Sequence, residues 1–316
     1  MGNQADRYNG ILLVNKETGM TSHDIVSRLR RILKQKRIGH CGTLDKAASG
    51  LLIVCLGKAT KASQFITDSD KEYIATIEFG RTSKTYDAEG VDFETSVNKI
   101  PELSMEYLNT ELDTFRGTIE QTVPFYSAIH VDGKRLYKLA KEGRDVELPK
   151  REITISDIEI LKISNTAVKI KVACTKGTYI RSLAHDLGQQ IGCSAYLSAL
   201  LRTKIGKLHV DASYTLAEIE KHTKDNMLEN ILMSYDDVLP FAVCTIADEY
   251  INSVFEGRDI QREYISNISG SFLTGDKVSL RDNNGNILAV CSALEQSDRL
   301  ELTDEDKLFK YIRVLH

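Results

Sequence analysis

No apolar run in this 316-residue chain approaches the roughly 20 residues that a membrane-spanning helix needs. The first ten residues, MGNQADRYNG, carry no apolar secretory stretch, so a cytoplasmic location is the expectation. Gly2 follows Met1, but Asp6 stands where a myristoylation signal wants Ser or Thr. The six cysteines form no C-x-x-C pair, and the seven histidines form no H-E-x-x-H or H-x-x-H pair. A disulfide scaffold and a metal centre therefore both fit poorly. G-x-S-x-G, the serine-hydrolase elbow, is missing too. A phosphate-binding loop fails on spacing: six residues separate Gly50 from Gly57 where four are needed, and Ala59 follows Lys58 where Ser or Thr would hold magnesium. There are no internal repeats and no low-complexity segments.

The chain also lacks net positive charge, standing at −4, which at first argues against a nucleic-acid partner. Phosphates, however, respond to the field within about 10 Å at moderate salt, so local patches decide. Residues 28–37, RLRRILKQKR, hold six basic side chains and no acid. A second cluster, Lys134, Arg135, Lys138, Lys141 and Arg144, encloses Glu142 alone. Segregation of this kind suits a phosphate-facing surface, although a solvated helix face reads the same way.

What is present is ordinary globular material, 42% hydrophobic and 27% charged. Thr21 and Ser22 are candidate N-caps, Asp24 completes a box-like T-x-x-D, and Ile25, Val26, Leu29, Ile32 and Leu33 follow at helical spacing. Residues 72–80 and 168–176 alternate as strands. After Gly177, helical periodicity resumes through Ile180, Leu183, Ala184, Leu187 and Ile191. Strands interleaved with helices and hairpins predict an α+β fold with a mixed, mainly antiparallel central sheet and flanking helices. The run 220–245 lacks a clear period and reads as a hinge. Short strand-like runs follow, with Asn284–Gly285 as a hairpin turn, and predict a small C-terminal β-barrel.

The stretch GHCGTLDKAASGLLIVCL, residues 39–56, sets Asp45 on a glycine-flanked loop directly before a continuous apolar run. Taken alone, Asp45 could cap the turn that follows. A glycosidase would need a second carboxylate at the same bond, and the linear sequence does not say whether Glu72 or Asp87 comes near it.

This block, with GILLVNKETGMTSHDIVSRLRRIL before it, resembles the TruB family of tRNA pseudouridine synthases. The likeness continues in order through DSDKEYIATIEFG, RTSKTYDAEG, FRGTIEQTVPFYSAIHVDGKRLYKLAKEG and KGTYIRSLAHDLGQQIGCSAYLSALLRTKIG. The resemblance implies that Asp45 is the catalytic residue. Arg181 would pair with it, and Tyr73 would pack on the target base and assist loss of the C5 proton. It implies that His40 fills the space left by a flipped base, that Tyr179 and Leu200 line the base pocket, and that Lys16 lies near the catalytic loop. No cofactor or metal is implied, because uridine and pseudouridine are isomers. The substrate would be the T arm of tRNA, at uridine 55, and the enzyme a cytoplasmic monomer of the stand-alone bacterial type with no obligate protein partner.

On this reading residues 1–240 form the catalytic domain, with an RNA-gripping thumb insertion at about 123–152. Residues 241–316 form a small PUA-type RNA-binding domain. An alternative is a tRNA-folding chaperone with weak or lost catalysis, motivated by departures from the family pattern. Lys46-Ala47-Ala48-Ser49 replaces the usual Pro-Leu-Ala-Thr, Glu17 replaces Pro, Cys41 replaces Thr and Leu201 replaces Arg.

Overall fold

Helix α1 (Ser22–Leu33) starts where its sequence says it should. In this computed structural model, which describes residues 6–94, 99–131, 133–144, 146–235, 237–239, 241–300 and 307–315, Thr21 is the N-cap. Its Oγ1 accepts from Asp24 N, and the Asp24 carboxylate accepts from Thr21 N, a complete capping box. Ile25, Val26, Leu29 and Leu33 bury the apolar stripe. Two of the six basic residues bond within the chain: Arg30 donates to the carbonyls of Lys36 and Ile38, and Arg37 donates to Thr60 Oγ1. Arg28, Arg30, Arg31, Lys34 and Lys36 are exposed.

Among the described residues, eleven strands precede residue 210. They are β1 (Gly10–Lys16), β2 (Ile38–Cys41), β3 (Ser49–Leu56), β4 (Lys71–Phe79), β5 (Gly117–Thr122), β6 (His130–Val131), β7 (Lys134–Arg135), β8 (Lys150–Ile163), β9 (Ala167–Cys174), β10 (Ala195–Ile205) and β11 (Leu208–His209). Nine of them build one sheet in the order β1-β3-β10-β4-β9-β8-β5, with β2 on β3 and β11 on β10. Every pairing is antiparallel except β3 with β10. The α+β architecture and mainly antiparallel sheet are thus as expected.

Burial explains the two strand patterns. From Leu51 to Leu56 β3 is apolar at every position because both of its faces are covered. On one face Leu52, Val54 and Leu56 meet Ile25, Val26 and Leu29 of α1. On the other, Leu51, Ile53 and Cys55 meet Ile11, Leu13 and Phe65. β4 alternates because Tyr73, Ala75, Ile77 and Phe79 face the core. They share it with Ile180, Leu183, Ala184 and Leu187 of the later helix (Ile180–Ile191).

Between β3 and that helix lie α2 (Ser63–Thr67), α3 (Met105–Asp113) and α4 (Leu136–Lys141), so the helix at 180–191 is α5. The β6–β7 hairpin and α4 carry the second basic cluster on a small apolar centre of Val123, Leu136 and Leu139. Residues 132 and 145 of the predicted insertion lie outside the described residues. α6 (Leu216–Lys224) follows, and Met233 then hydrogen-bonds back to Ile11 on β1, so the run read as a hinge is held against the sheet.

The C-terminal strands are β12 (Ala242–Ile246), β13 (Ile265–Ser269), β14 (Lys277–Arg281), β15 (Ile287–Ala293) and β16 (Phe309–Val314). They form a five-stranded sheet in the order β13-β12-β14-β15-β16. The expected barrel does not close: β13 and β16 lie at opposite edges, and no pairing joins them among the described residues. The β14–β15 hairpin turns at Asn284–Gly285, where Gly285 N donates to Asp282 O and Gly285 has φ +81°. This sheet packs on the first one through Ile287, Val290 and Leu315. Phe65 and Phe241 meet edge to face at 5.9 Å, and Lys277 Nζ lies over both rings. Among the described residues no helix is long and apolar enough to cross a membrane.

Candidate active site

The loop between β2 and β3 has little structure of its own, and side chains from elsewhere hold its backbone. Ser22 Oγ, at the start of α1, accepts from Leu44 N at 2.9 Å and donates to Leu44 O at 3.1 Å. Arg202, on β10 and 1% exposed, sends Nη2 to Gly42 O and Nη1 to Thr43 O, both at 3.3 Å, and Nε to Leu51 O at 2.8 Å. Lys16 is fully buried at the end of β1. Its Nζ donates to Met20 O at 2.7 Å, Glu17 O at 3.0 Å and Lys46 O at 3.4 Å. Burial pulls the Lys16 ammonium down to about 8, partly offset by the nearby Asp45 charge. Gly50 permits the close approach of β3 to β10: it has φ +104°, and a Cβ there would sit 2.3 Å from Arg202 O.

Asp45 is left with its carboxylate pointing into a cleft, and its side chain is 43% exposed. Arg181 meets it from the first turn of α5, with Nε 2.9 Å from Asp45 Oδ2 and 3.8 Å from Asp87 Oδ2. The Nε hydrogen does not align on either oxygen, so these contacts are ion pairs rather than directed hydrogen bonds. The guanidinium is anchored from behind: Nη1 donates to Thr85 O at 3.1 Å, and Nη1 and Nη2 both donate to Tyr126 O at 3.2 Å. Gln121 fixes the start of α5 by accepting from Tyr179 N and donating to Tyr179 O. Asp45 is therefore not a turn cap. It faces a buried cation.

The cleft encloses about 890 Å³. Asp45, Tyr73, Tyr179, Arg181 and Leu200 all line it, five of the seven sequence candidates. Burial raises the Tyr73 and Tyr179 phenols above their ordinary range, so both hydroxyls keep their protons at neutral pH. Lys16 and His40 do not line the cleft. Lys16 acts from behind the loop, and His40 lies on β2, half-buried, with its Nδ1 lacking a hydrogen-bond partner. Burial, followed by the Arg202 charge, keeps the His40 imidazole below its usual range.

Sequence reasoning missed several residues here. Lys71, Arg151, Lys176 and Arg202 give the cleft basic walls. Lys71 is nearly buried and donates to Thr67 O at 2.6 Å, and burial lowers it to about 8. Arg202 stood beside the quoted Leu200. A lone arginine in an apolar strand pattern was the available signal, since a buried guanidinium needs partners. Among the described residues no group of three or more His, Cys, Asp or Glu side chains could hold a metal ion. All six cysteines are buried and free, and Cys41 Sγ lies 3.3 Å from Cys55 Sγ.

Comparison with known proteins decides the family. The model for the TruB family pseudouridylate synthase N-terminal domain matches residues 30–180, and the tRNA pseudouridylate synthase B C-terminal domain matches 181–240. The tRNA pseudouridine synthase B of Francisella tularensis subsp. tularensis (strain WY96-3418) is 43% identical over 223 residues, 71% of this chain and 74% of the relative. That of Clostridioides difficile (strain 630) is 44% identical over 235 residues, 73% of this chain and 77% of the relative. The chain belongs to the TruB family of pseudouridine synthases. Among solved structures, a chain of an H/ACA RNP bound to a substrate RNA containing 2′-deoxyuridine aligns with a TM-score of 0.74. It is 22% identical and covers 97% of this chain and 85% of its own. A chain of a Cbf5-Nop10-Gar1 complex also aligns at 0.74, with 24% identity and 97% and 85% coverage. At such identities the likeness speaks for the fold, which extends through the C-terminal sheet. Asp45 and Arg181 are thus in ion-pair contact at one wall of the cleft, with Tyr73 in the same lining.

Proposed function

We propose that this TruB enzyme converts uridine 55 in the T loop of tRNA to pseudouridine, with Asp45 as the catalytic carboxylate. The observation that carries the reading is the 2.9 Å contact between Arg181 Nε and Asp45 Oδ2 in a cleft walled by basic side chains. The reaction breaks the bond from C1′ to N1 and forms one from C1′ to C5. N1 gains a proton and C5 loses one, so nothing is consumed. Asp45 either attacks C1′ or removes the C2′ proton. In both routes it acts as an anion, and Arg181 keeps it aimed.

A uridine within a folded loop must first leave its stack, at a cost of a few kcal/mol. Tyr73, Tyr179 and Leu200 offer the flipped base one apolar-lined seat, and Tyr73 assists departure of the C5 proton. His40, on the strand that leads into the catalytic loop, occupies the vacated stack. Lys16 holds the loop through Lys46 O. Arg151, Lys176 and the Lys134–Arg144 cluster take phosphates of the T arm. The C-terminal unit, residues 241–316, adds RNA contacts of PUA type to a catalytic domain of residues 1–240. The enzyme works as a cytoplasmic monomer.

Carbodiimide mapping of an unmodified tRNA transcript tests this reading. A reverse-transcription stop one nucleotide 3′ of position 55 is expected with the protein, and none with a transcript carrying cytidine at 55. A stop at another position, or none, contradicts it.

A further inference from the structure

The segment Ser83–Gly90 supplies two of the groups that surround Arg181. These are Thr85 O, which accepts from Nη1, and Asp87 Oδ2, 3.8 Å from Nε. Both flank Tyr86, and Tyr86 is an unusual residue. Its φ is +64°, a left-handed conformation that an aromatic side chain rarely adopts. Such a conformation persists where the surroundings over-determine it. Here the surroundings are specific. Tyr86 N donates to Ser83 O, Tyr86 O accepts from Leu197 N on β10, and the phenol ring stacks on His185 with centroids 3.9 Å apart and planes 10° from parallel.

His185 lies four residues after Arg181 on α5, so the two side chains share one face of the helix. One helix face thus grips both ends of a short arc: Arg181 binds Thr85 O, and His185 stacks on the next residue. Resting on the functional reading above, we propose that Tyr86 and His185 form a positioning pair that sets Arg181 against Asp45. The stack fixes where Tyr86 sits, Tyr86 fixes the flanking Thr85 carbonyl and Asp87 carboxylate, and these orient the guanidinium. Within the segment itself, Ser83 Oγ donates to Asp87 O and Glu89 N donates to Asp87 Oδ1, so Asp87 moves with the arc rather than independently. Neither Tyr86 nor His185 lines the cleft. The pair's effect belongs to the chemical step and not to tRNA binding.

The test compares Y86A, H185A, Y86F and H185F by single-turnover pseudouridine formation, tRNA affinity and the crystal structure of each variant. Removing either ring is expected to slow the chemical step by about tenfold or more, the usual result of a misplaced catalytic group, while tRNA Kd stays within about twofold. Y86F and H185F keep a stackable ring and are expected to retain wild-type rates within about threefold. In an R181K background, Y86A is expected to cost little more, because the residue it acts through is gone. Should Y86A not fold, Y86L fills the volume without stacking and is expected to show the same loss. Y86A at the wild-type rate overturns the proposal. So does Y86F failing as badly as Y86A, or an undiminished Y86A penalty in the R181K background. The structures give an answer that does not depend on activity: Arg181 Nε beyond ion-pair distance of Asp45 in Y86A supports positioning, and an unmoved Arg181 refutes it. Wild-type protein that makes no pseudouridine would refute the function instead, with the structural outcome still deciding the pair.

Discussion

Arg181 makes contacts in three directions: forward to Asp45, sideways to Thr85 O and backward to Tyr126 O. A lysine has one nitrogen and cannot reproduce them. Arg181→Lys is therefore expected to lower single-turnover pseudouridine formation about a hundredfold and to change tRNA affinity less than about threefold, by filter binding. Comparable losses in both would mean a general structural role. At this scale the ordered blocks led directly to Asp45, Tyr73 and Arg181. Ser22, Gln121 and Arg202 escaped because each works by hydrogen-bonding backbone groups far away in sequence, an arrangement with no linear spacing to recognise. The basic helix shows the converse. Its charge run suggests a phosphate-facing surface, and the spacing does not show that Arg30 and Arg37 also donate to acceptors within the chain.

Local elements were more legible than their assembly. The capping box of α1, the alternation of β4 and the Asn284–Gly285 hairpin are local rules, and all three appear in the fold. Thr21→Ala removes one side of the box and is expected to cost about 1 kcal/mol in urea denaturation. Gly50→Ala is a harsher change. Its Cβ would collide with Arg202 O at 2.3 Å in a left-handed conformation, so a loss of about 3 kcal/mol or more is expected. A Gly50→Ala protein as stable as wild type would show that β3 and β10 do not need their close approach. Closure of the C-terminal sheet was misjudged for a physical reason. Strand count and turn signals are local, whereas closure depends on whether the two edge strands meet, and the order places β13 and β16 apart.

Across the whole molecule, charge and pH supply two further tests. Asp186, on α5, is raised by burial to about 6 from an ordinary value near 3.8. The folded state therefore binds more protons than the unfolded state between those values, and Asp186 weakens stability as pH rises through them. Asp186→Asn is expected to stabilise the protein fully above about pH 6, with the gain shrinking toward pH 4. Urea midpoints across that range would show it, and a gain that grows toward acid would contradict it. The net charge of −4 hides basic clusters on the β6–β7 hairpin with α4 and around the cleft. Affinity for tRNA is thus expected to fall more than about tenfold from 50 to 200 mM salt, as counterions are released. A flat response would remove those clusters from the RNA interface. The central claim, that the Asp45 carboxylate drives rearrangement at C1′ of a tRNA uridine, is tested most directly with transcripts carrying tritium at C5 of uridine. The account predicts that wild-type protein releases one tritium per tRNA and that Asp45→Asn, still binding tRNA, releases none. Equal release by both proteins would contradict it.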